Sequence, residues 1–470
     1  MKRRDALKTI GGIAGVAGLS GILPACGSSS GGSSSDAGGD ASSDAPNKPV
    51  GITTYVYMMM ENRSYDHLFG ARSMIEGKPG DGPSIDTTLL DINEVPVGLW
   101  KPDNTQLCDL DPPHGWEALR TSWNQGACDR FLKVHQEEHH NATAIQPMQY
   151  LTRNEVPVSY ALADAYTTCD RWFCSVMGPT WPNRFYWHAG TAFGQMSNTL
   201  PAQLSPSIYH RLAAKGIDWA YYYGSIPVVA VINDIDVQPN VHRFNRFLAD
   251  AAAGTLPPVV YIDPAFAQND DHPPVHPVLG QALISTVYKA LAASPQWENI
   301  LFVVTYDENG GFYDHVSPPT MPDDLAAQGF NQLGFRVPTM VMGPYAKQGH
   351  VSSVQYDHTS ALRHLENVFG LDELTTRTAA ATDLTDCIDM ERLAAGQWAP
   401  PIELPTVNIA DWPMTADCMA TLREDHPIIA WADANPERIA GLDLRPELAD
   451  YKKTIIDFLA NPPKAVAKLR

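Results

Sequence analysis

Tyr55-Val56-Tyr57-Met58-Met59-Met60 is an unbroken apolar run that stops abruptly at Glu61-Asn62-Arg63. A short apolar stretch bounded by polar residues reads as a strand buried on both faces, the kind found in parallel sheets. The pattern returns along the chain. Pro258-Val259-Val260-Tyr261-Ile262 ends at Asp263, and Ile300-Leu301-Phe302-Val303-Val304-Thr305-Tyr306 ends at Asp307-Glu308. Trp219 to Tyr223 ends at Gly224, and Val337 to Met342 ends at Gly343-Pro344. Helix-like stretches such as Val278–Ala293 and Ser360–Phe369 alternate with these runs. Together they predict an α/β fold with a largely parallel central sheet flanked by helices.

In such sheets ligands gather at the carboxyl ends of the strands. Two runs deliver acids there: Glu61 with Asn62, and Asp307 with Glu308. Oxygen donors from two strand ends suit one hard divalent cation, with Ca, Mg or Mn favoured by the donor type. The competing role for each acid taken singly is a helix cap.

Met177-Gly178-Pro179-Thr180-Trp181-Pro182-Asn183-Arg184 sets a hydroxyl between proline constraints, just before a helix-like run, Phe185–Thr191. Gly178 permits a strained turn, and the following helix would aim its positive end at Thr180. A threonine hydroxyl beside a cation can attack phosphorus. The competing reading is a purely structural turn threonine.

Composition narrows the class. Hydrophobic residues at 44% and charged residues at 18% describe a globular chain with a sizeable core, and 470 residues exceed one ordinary domain. Lys+Arg of 33 against Asp+Glu of 53 leaves a net charge of −20, which argues against nucleic-acid partners. Nothing in the sequence marks a protein partner.

The amino-terminal segment reads as an address. Lys2-Arg3-Arg4-Asp5-Ala6-Leu7-Lys8 precedes a Gly-rich apolar stretch, Ile10 to Leu23, too short to span a bilayer, which needs ~20 residues. The arginine pair resembles a twin-arginine export signal, departing from it at Ala6, where Phe is usual. Leu23-Pro24-Ala25-Cys26 is similar to a bacterial lipobox, with Cys26 the residue to be lipidated. Gly27 to Lys48 is a Ser/Gly/Asp tether. The expectation is an exported bacterial protein, a periplasmic or cell-surface lipoprotein touching the membrane through that anchor alone. The alternative is secretion after signal cleavage. The other six cysteines allow 15 pairings, and the simplest joins sequence neighbours: Cys108–Cys128, Cys169–Cys174 and Cys387–Cys418. Buried free thiols are the alternative.

Met60-Glu61-Asn62-Arg63-Ser64-Tyr65-Asp66-His67-Leu68-Phe69-Gly70 resembles the opening motif of the bacterial phospholipase C and acid phosphatase family of phosphoesterases. Gly178 to Arg184 resembles its nucleophile motif, and Thr305 to Val316 its second metal motif. Asp271-His272-Pro273-Pro274 and Tyr356-Asp357-His358-Thr359-Ser360 are similar to its remaining blocks. The resemblance covers about residues 50 to 370 in the family's order. It implies an alkaline-phosphatase-like core and hydrolysis of phosphate esters through a covalent phospho-enzyme.

Carried onto this chain, the resemblance makes Thr180 the nucleophile. Glu61, Asn62, Asp307 and Glu308 then surround the metal and the phosphoryl group. His272 and His114 contact phosphate oxygens or protonate the leaving alkoxide. Asn183 and Asp271 fall inside the matched motifs, and His358 is either a supporting or a structural residue. Asp314 and His315 read as loop stabilisers. The substrate implied is a phospholipid phosphodiester, with a phosphomonoester, as for an acid phosphatase, as the alternative. The chain thus divides into an export signal with a lipobox-like end (1–26), a linker (27–49), a phosphoesterase catalytic domain (50–374) and a segment packing on the core without an assigned role (375–470).

Two rivals were weighed. His135-Gln136-Glu137-Glu138-His139 has the H-x-x-E-H spacing of inverted zinc proteases, against a solvated helix face. A non-catalytic surface lipoprotein would have no need of Thr180. Finally, Trp116, Trp172, Trp181, Tyr186 and Trp187 could line a headgroup pocket, against the commoner role of core residues.

Overall fold

The computed structural model describes residues 51–103, 106–108, 110–201, 204–408, 427–439 and 448–464. All of them fall in one unit, Pro49–Arg470. The export signal, the linker, Cys26 and Cys418 lie outside the described residues. No described helix is long and apolar enough to cross a membrane.

Eight strands make the central sheet: β1 (Thr54–Met60), β2 (Thr167–Cys169), β3 (Trp219–Tyr223), β4 (Val241–Arg243), β5 (Val259–Asp263), β6 (Ile300–Tyr306), β7 (Thr339–Met342) and β8 (Val351–Ser352). Their order is β8-β2-β7-β6-β1-β5-β3-β4. All neighbours are parallel except β7, which runs antiparallel to both β6 and β2. Every residue of β1, β5 and β6 is buried, as central strands covered on both faces require. The α/β class and largely parallel sheet read from the apolar runs are therefore observed.

The Val337–Met342 run differs from the others in direction. Because β7 is antiparallel, its carboxyl end leaves the sheet at the edge opposite to Glu61 and Asp307. Gly343, at φ +142°, presses there against Ile300, where a Cβ would lie 2.4 Å from the carbonyl oxygen.

The helices that bear on the site are α1 (Tyr65–Met74), α2 (Trp116–Trp123), α3 (Phe131–Glu138), α4 (Thr180–Ala189), α5 (Pro277–Ala292) and α6 (Thr359–Phe369). Ser64 caps α1 by accepting the His67 amide at 3.0 Å. Helix α4 begins at Thr180 itself, five residues earlier than the apolar pattern suggests. Pro182 is tolerated there because first-turn amides have no partner inside the helix.

Described residues beyond 374 pack against this core. Leu384, Cys387 and Ile388 join the main hydrophobic cluster. Trp297 Nε1 donates to the Ala399 carbonyl at 3.0 Å, and the Ile402 amide donates to Tyr288 at 2.8 Å. The cysteines do not pair by sequence proximity. Cys128, Cys169, Cys174 and Cys387 are buried free thiols, which removes all three neighbour pairings. Cys108 is disulfide-bonded. Adjacent positions in sequence are separated here by the strands and turns that carry them.

Helix α6 sets the His364 ring edge-on to Tyr55 of β1, at 5.5 Å between centroids. Neither ring nitrogen has a hydrogen-bond partner. Burial, opposed weakly by Asp383, brings its pKa down from 6.5 to about 4. A ring kept neutral in the folded chain contributes stability above about pH 6.5 that is lost as the pH falls toward 4. His364→Phe keeps the aromatic contact without the titration. It is expected to lose about 1–2 kcal/mol less stability than the native chain between pH 7 and pH 5, measured by denaturant unfolding. Identical pH dependence of the two proteins would refute this.

Candidate active site

The two strand-end pairs meet. β1 and β6 are paired in parallel up to Met60 and Tyr306, so Glu61-Asn62 and Asp307-Glu308 leave the sheet side by side. The Asn62 amide donates to Asp307 Oδ1 at 3.2 Å, and the Asp307 amide donates to the Met60 carbonyl at 3.0 Å. Asn62 sits at φ +60°. Gly310 allows the approach: at φ +61°, a Cβ there would lie 2.4 Å from the Asn62 carbonyl oxygen.

All four side chains are fully buried. Asn62 Oδ1, Asp307 Oδ2 and Glu308 Oε1 have no hydrogen-bond partner within the chain. Burying polar oxygens unsatisfied is costly, and these all lie just beyond adjacent strand ends. Burial and then the Glu61 charge push the Asp307 carboxyl up to about 7. Burial also pushes Glu308 well up, against the nearby His114. Oxygens that repel one another and lack donors are the donor set a divalent cation satisfies.

Helix α4 is tied to these strand ends through Arg184. Thr180 is its first residue, and Arg184 follows one turn later on the same face. Arg184 Nη2 donates to Glu61 Oε1 at 2.9 Å, Nη1 donates to Asp263 Oδ1 at 3.4 Å, and Nε lies 3.5 Å from Asp307 Oδ2. Burial disfavours its charge, but Glu61, Asp307 and Asp263 outweigh burial and raise its pKa. Arg184 lay within the quoted motif yet received no role. Its spacing of four from Thr180 was the available signal.

The helix terminus offers fewer amides than expected, because the Trp181 amide donates to Asn198 Oδ1 at 2.9 Å and Pro182 has none. Asn183 does not face a ligand. Its Oδ1 accepts the Val176 amide at 3.0 Å, and its Nδ2 donates to the carbonyls of Val176, Gly178 and Pro179. It shapes the turn that carries Thr180.

His114 and His272 stand together, with ring centroids 5.5 Å apart. Each donates Nδ1–H to a backbone carbonyl at 2.7 Å, His114 to Pro112 and His272 to Pro273. That bond sets the tautomer and ring orientation. His114 Nε2 lies 3.4 Å from Asn62 Nδ2 and 3.6 Å from Glu308 Oε1. Burial opposes its imidazolium, but Glu308 and Asp111 prevail and lift its pKa to about 9. His272 is moved the other way, chiefly by burial.

Asp111 joins this pair, with ligand-capable atoms of all three within 4.8 Å of one another. Its carbonyl accepts from His139 at 3.0 Å, while His135 Nε2 lies 2.8 Å from Gln146 Oε1. The H-x-x-E-H histidines thus each have a local partner through Nε2.

Asp271 supports from behind. Its carbonyl accepts from Arg63 at 2.9 Å and its Oδ2 from Tyr306 at 2.7 Å. His358 is wholly buried, with both nitrogens used: Nδ1 accepts from Trp172 at 3.3 Å and Nε2 donates to the Asp307 carbonyl at 2.7 Å. It supports Asp307. Arg377, beyond the family-like blocks, donates to Ser175 O at 2.9 Å and Asp357 Oδ2 at 3.0 Å, bracing the approach to the Thr180 turn. Asp314 and His315 belong to a separate network with Asp66. Its cation is Arg336, at 2.7 Å from Asp66 and 2.9 Å from Asp314. Of the five aromatics, Trp172, Trp181, Tyr186 and Trp187 are core residues. Only Trp116 is half-exposed, stacked with Arg120 at 3.3 Å.

The family model for the phosphoesterase family matches residues 52–372. The chain belongs to the phosphoesterase family. It is accordingly a hydrolase acting on phosphoester bonds. It is 32% identical over 398 residues to non-specific phospholipase C6 of Arabidopsis thaliana, covering 76% of this chain and 75% of that protein. To phospholipase C A of Mycobacterium tuberculosis it is 30% identical over 391 residues, covering 69% and 74%. Among solved structures, phosphonate monoester hydrolase of Agrobacterium radiobacter is similar at 10% identity and a TM-score of 0.36, covering 86% of this chain and 96% of that one.

Gly280, in the first turns of α5, packs so closely on Asp271 that a Cβ would lie 1.9 Å from its Oδ1. Gly280→Ala is expected to displace the Asp271–His272 turn, lowering stability by about 1–3 kcal/mol and cutting phosphoesterase activity. Unchanged unfolding midpoint and activity would contradict that packing.

Proposed function

We propose that this phosphoesterase is a phospholipase C-type enzyme, cleaving the phosphodiester of a phospholipid between phosphorus and the diacylglycerol oxygen through a phospho-threonine intermediate on Thr180. The observation that carries the reading is that unsatisfied buried oxygens of Asn62, Asp307 and Glu308 stand at the strand ends to which Arg184 ties α4, the helix headed by Thr180. The names of the relatives supply the substrate class.

Glu61, Asn62, Asp307 and Glu308 would hold one divalent cation, which when bound supplies charge neutralisation of the phosphoryl group and a more acidic Thr180 hydroxyl. Thr180 Oγ gives its proton to His272, held neutral by burial, and forms a bond to phosphorus while the bond from phosphorus to the diacylglycerol oxygen breaks. The departing alkoxide takes a proton from His114, which Glu308 and Asp111 keep charged. Water then gives a proton to the now neutral His114 and forms a bond to phosphorus. The bond to Thr180 Oγ breaks, Oγ takes its proton back from His272, and the phosphorylated headgroup leaves. Asn183, Asp271 and His358 position the turn, His272 and Asp307 respectively. At the membrane, the lipidated Cys26 and its tether would keep an exported enzyme beside its substrate.

Thr180→Ala is expected to reduce release of product from a chromogenic phosphodiester by about 10³-fold or more, with an unchanged circular dichroism spectrum. Full activity in that variant would eliminate the phospho-threonine route. Faster hydrolysis of a simple phosphomonoester than of phosphatidylcholine would move the assignment to a phosphatase.

Calorimetric titration of chelator-treated protein with Mn²⁺, Mg²⁺ or Ca²⁺ is expected to show one site, weakened at least about 10-fold in Asp307→Asn. Equal affinity in both proteins would place the cation elsewhere.

A further inference from the structure

Away from the site, two thiols stand together at one edge of the sheet. Cys169, at the end of β2, and Cys387, at the end of the turn Leu384–Cys387, face each other with their sulfurs 3.8 Å apart. Both are fully buried. Among the described free cysteines this is the one pair in sulfur contact: Cys128 points at the Gly126 carbonyl and Cys174 at that of Val176. The backbone around Cys387 is already fastened to this edge of the sheet. Its carbonyl accepts from the Lys347 amide at 2.9 Å and from Thr167 Oγ1 at 3.3 Å.

We propose that Cys169 and Cys387 become joined by a disulfide when the chain folds under oxidising conditions, clamping the segment beyond residue 372 to the sheet. Three observations support it. The chain already carries one disulfide, at Cys108, so oxidised cysteines belong to its structure. The two sulfurs are 218 residues apart in sequence, so a bond between them closes a very long loop and restricts the unfolded chain strongly. The segment so fastened carries Arg377, whose bonds to Ser175 and Asp357 brace the Thr180 turn from outside the family-matched residues 52–372.

The chemistry is thiol–disulfide exchange. One cysteine thiolate attacks the disulfide of an oxidant such as oxidised glutathione, forming a mixed disulfide and releasing one thiol. The second cysteine displaces the remaining half. One S–S bond forms, one breaks, and the two electrons and two protons of the cysteines end on two oxidant thiols. Burial pushes the Cys169 thiol well up, which suppresses its thiolate once packed. Exchange therefore belongs to folding, before the segment closes, and the bond is a permanent clamp and not a switch.

The test uses the full chain, refolded with a mixture of reduced and oxidised glutathione. Free thiols are alkylated in denaturant without reductant, and the digest is mapped by mass spectrometry. The expected product is one peptide pair linking Cys169 to Cys387, two hydrogens lighter than the separate peptides, with Cys128 and Cys174 alkylated. Folded, glutathione-treated protein with Cys169 and Cys387 both alkylated would overturn the proposal, as would either cysteine joined to a different one. Cys387→Ser should lose the linked pair and melt roughly 3 °C or more below the oxidised native chain. If that variant fails to fold, Cys169→Ala gives the same comparison with the Cys108 disulfide intact, and a melting point equal to that of the oxidised native chain counts against the clamp.

Discussion

Buried carboxylates repel one another, yet parallel strands bring Glu61, Asp263 and Asp307 within reach of a single guanidinium, that of Arg184. Placing these acids in a dry interior would raise the cost of ionising each of them. Arg184 offsets part of that cost and spans strand ends that otherwise push apart. It is also one helical turn from Thr180, so the same contact sets the position of α4 against the strands. The placement of the hydroxyl, the acids and the surrounding turns all depends on this one buried cation.

One guanidinium is not enough for the charge present. The chain as a whole carries −20, and the strand ends concentrate more acid than Arg184 neutralises. The excess appears as the upward push on Asp307 and Glu308 and as oxygens without donors. Such a concentration of acid repels a phosphate ester, and the proposed cation would offset it. His114 shows the same field acting on a base: neighbouring acids hold its proton where burial alone would remove it.

Much of this could be read in the sequence. The strands were legible because β1, β5 and β6 are buried on both faces, which demands unbroken apolar runs. The acids were legible because a parallel sheet delivers its strand ends to one edge. The direction of β7 was not, since an apolar run looks the same in either orientation. The start of α4 was missed because two prolines masked a first turn that tolerates them. His358 stayed ambiguous until its partners, Trp172 and the Asp307 carbonyl, were seen to occupy both nitrogens. The cysteine pairings failed because proximity along the chain says little about proximity across a sheet, as the 218-residue separation of Cys169 and Cys387 shows.

By itself, the sequence determined the α/β class, the strands that would be central and the residue types available at their ends. These follow from local pattern, because burial on two faces and the alternation of strand with helix are properties of short segments. Only the tertiary structure decided which of those residues act together. Arg184, Asp111 and Arg377 acquire their roles from partners contributed by distant segments, and Asn183 and His358 are drawn into supporting positions. The reason is electrostatic and geometric at once: a buried charge is defined by what surrounds it, and those surroundings exist only after the chain has closed.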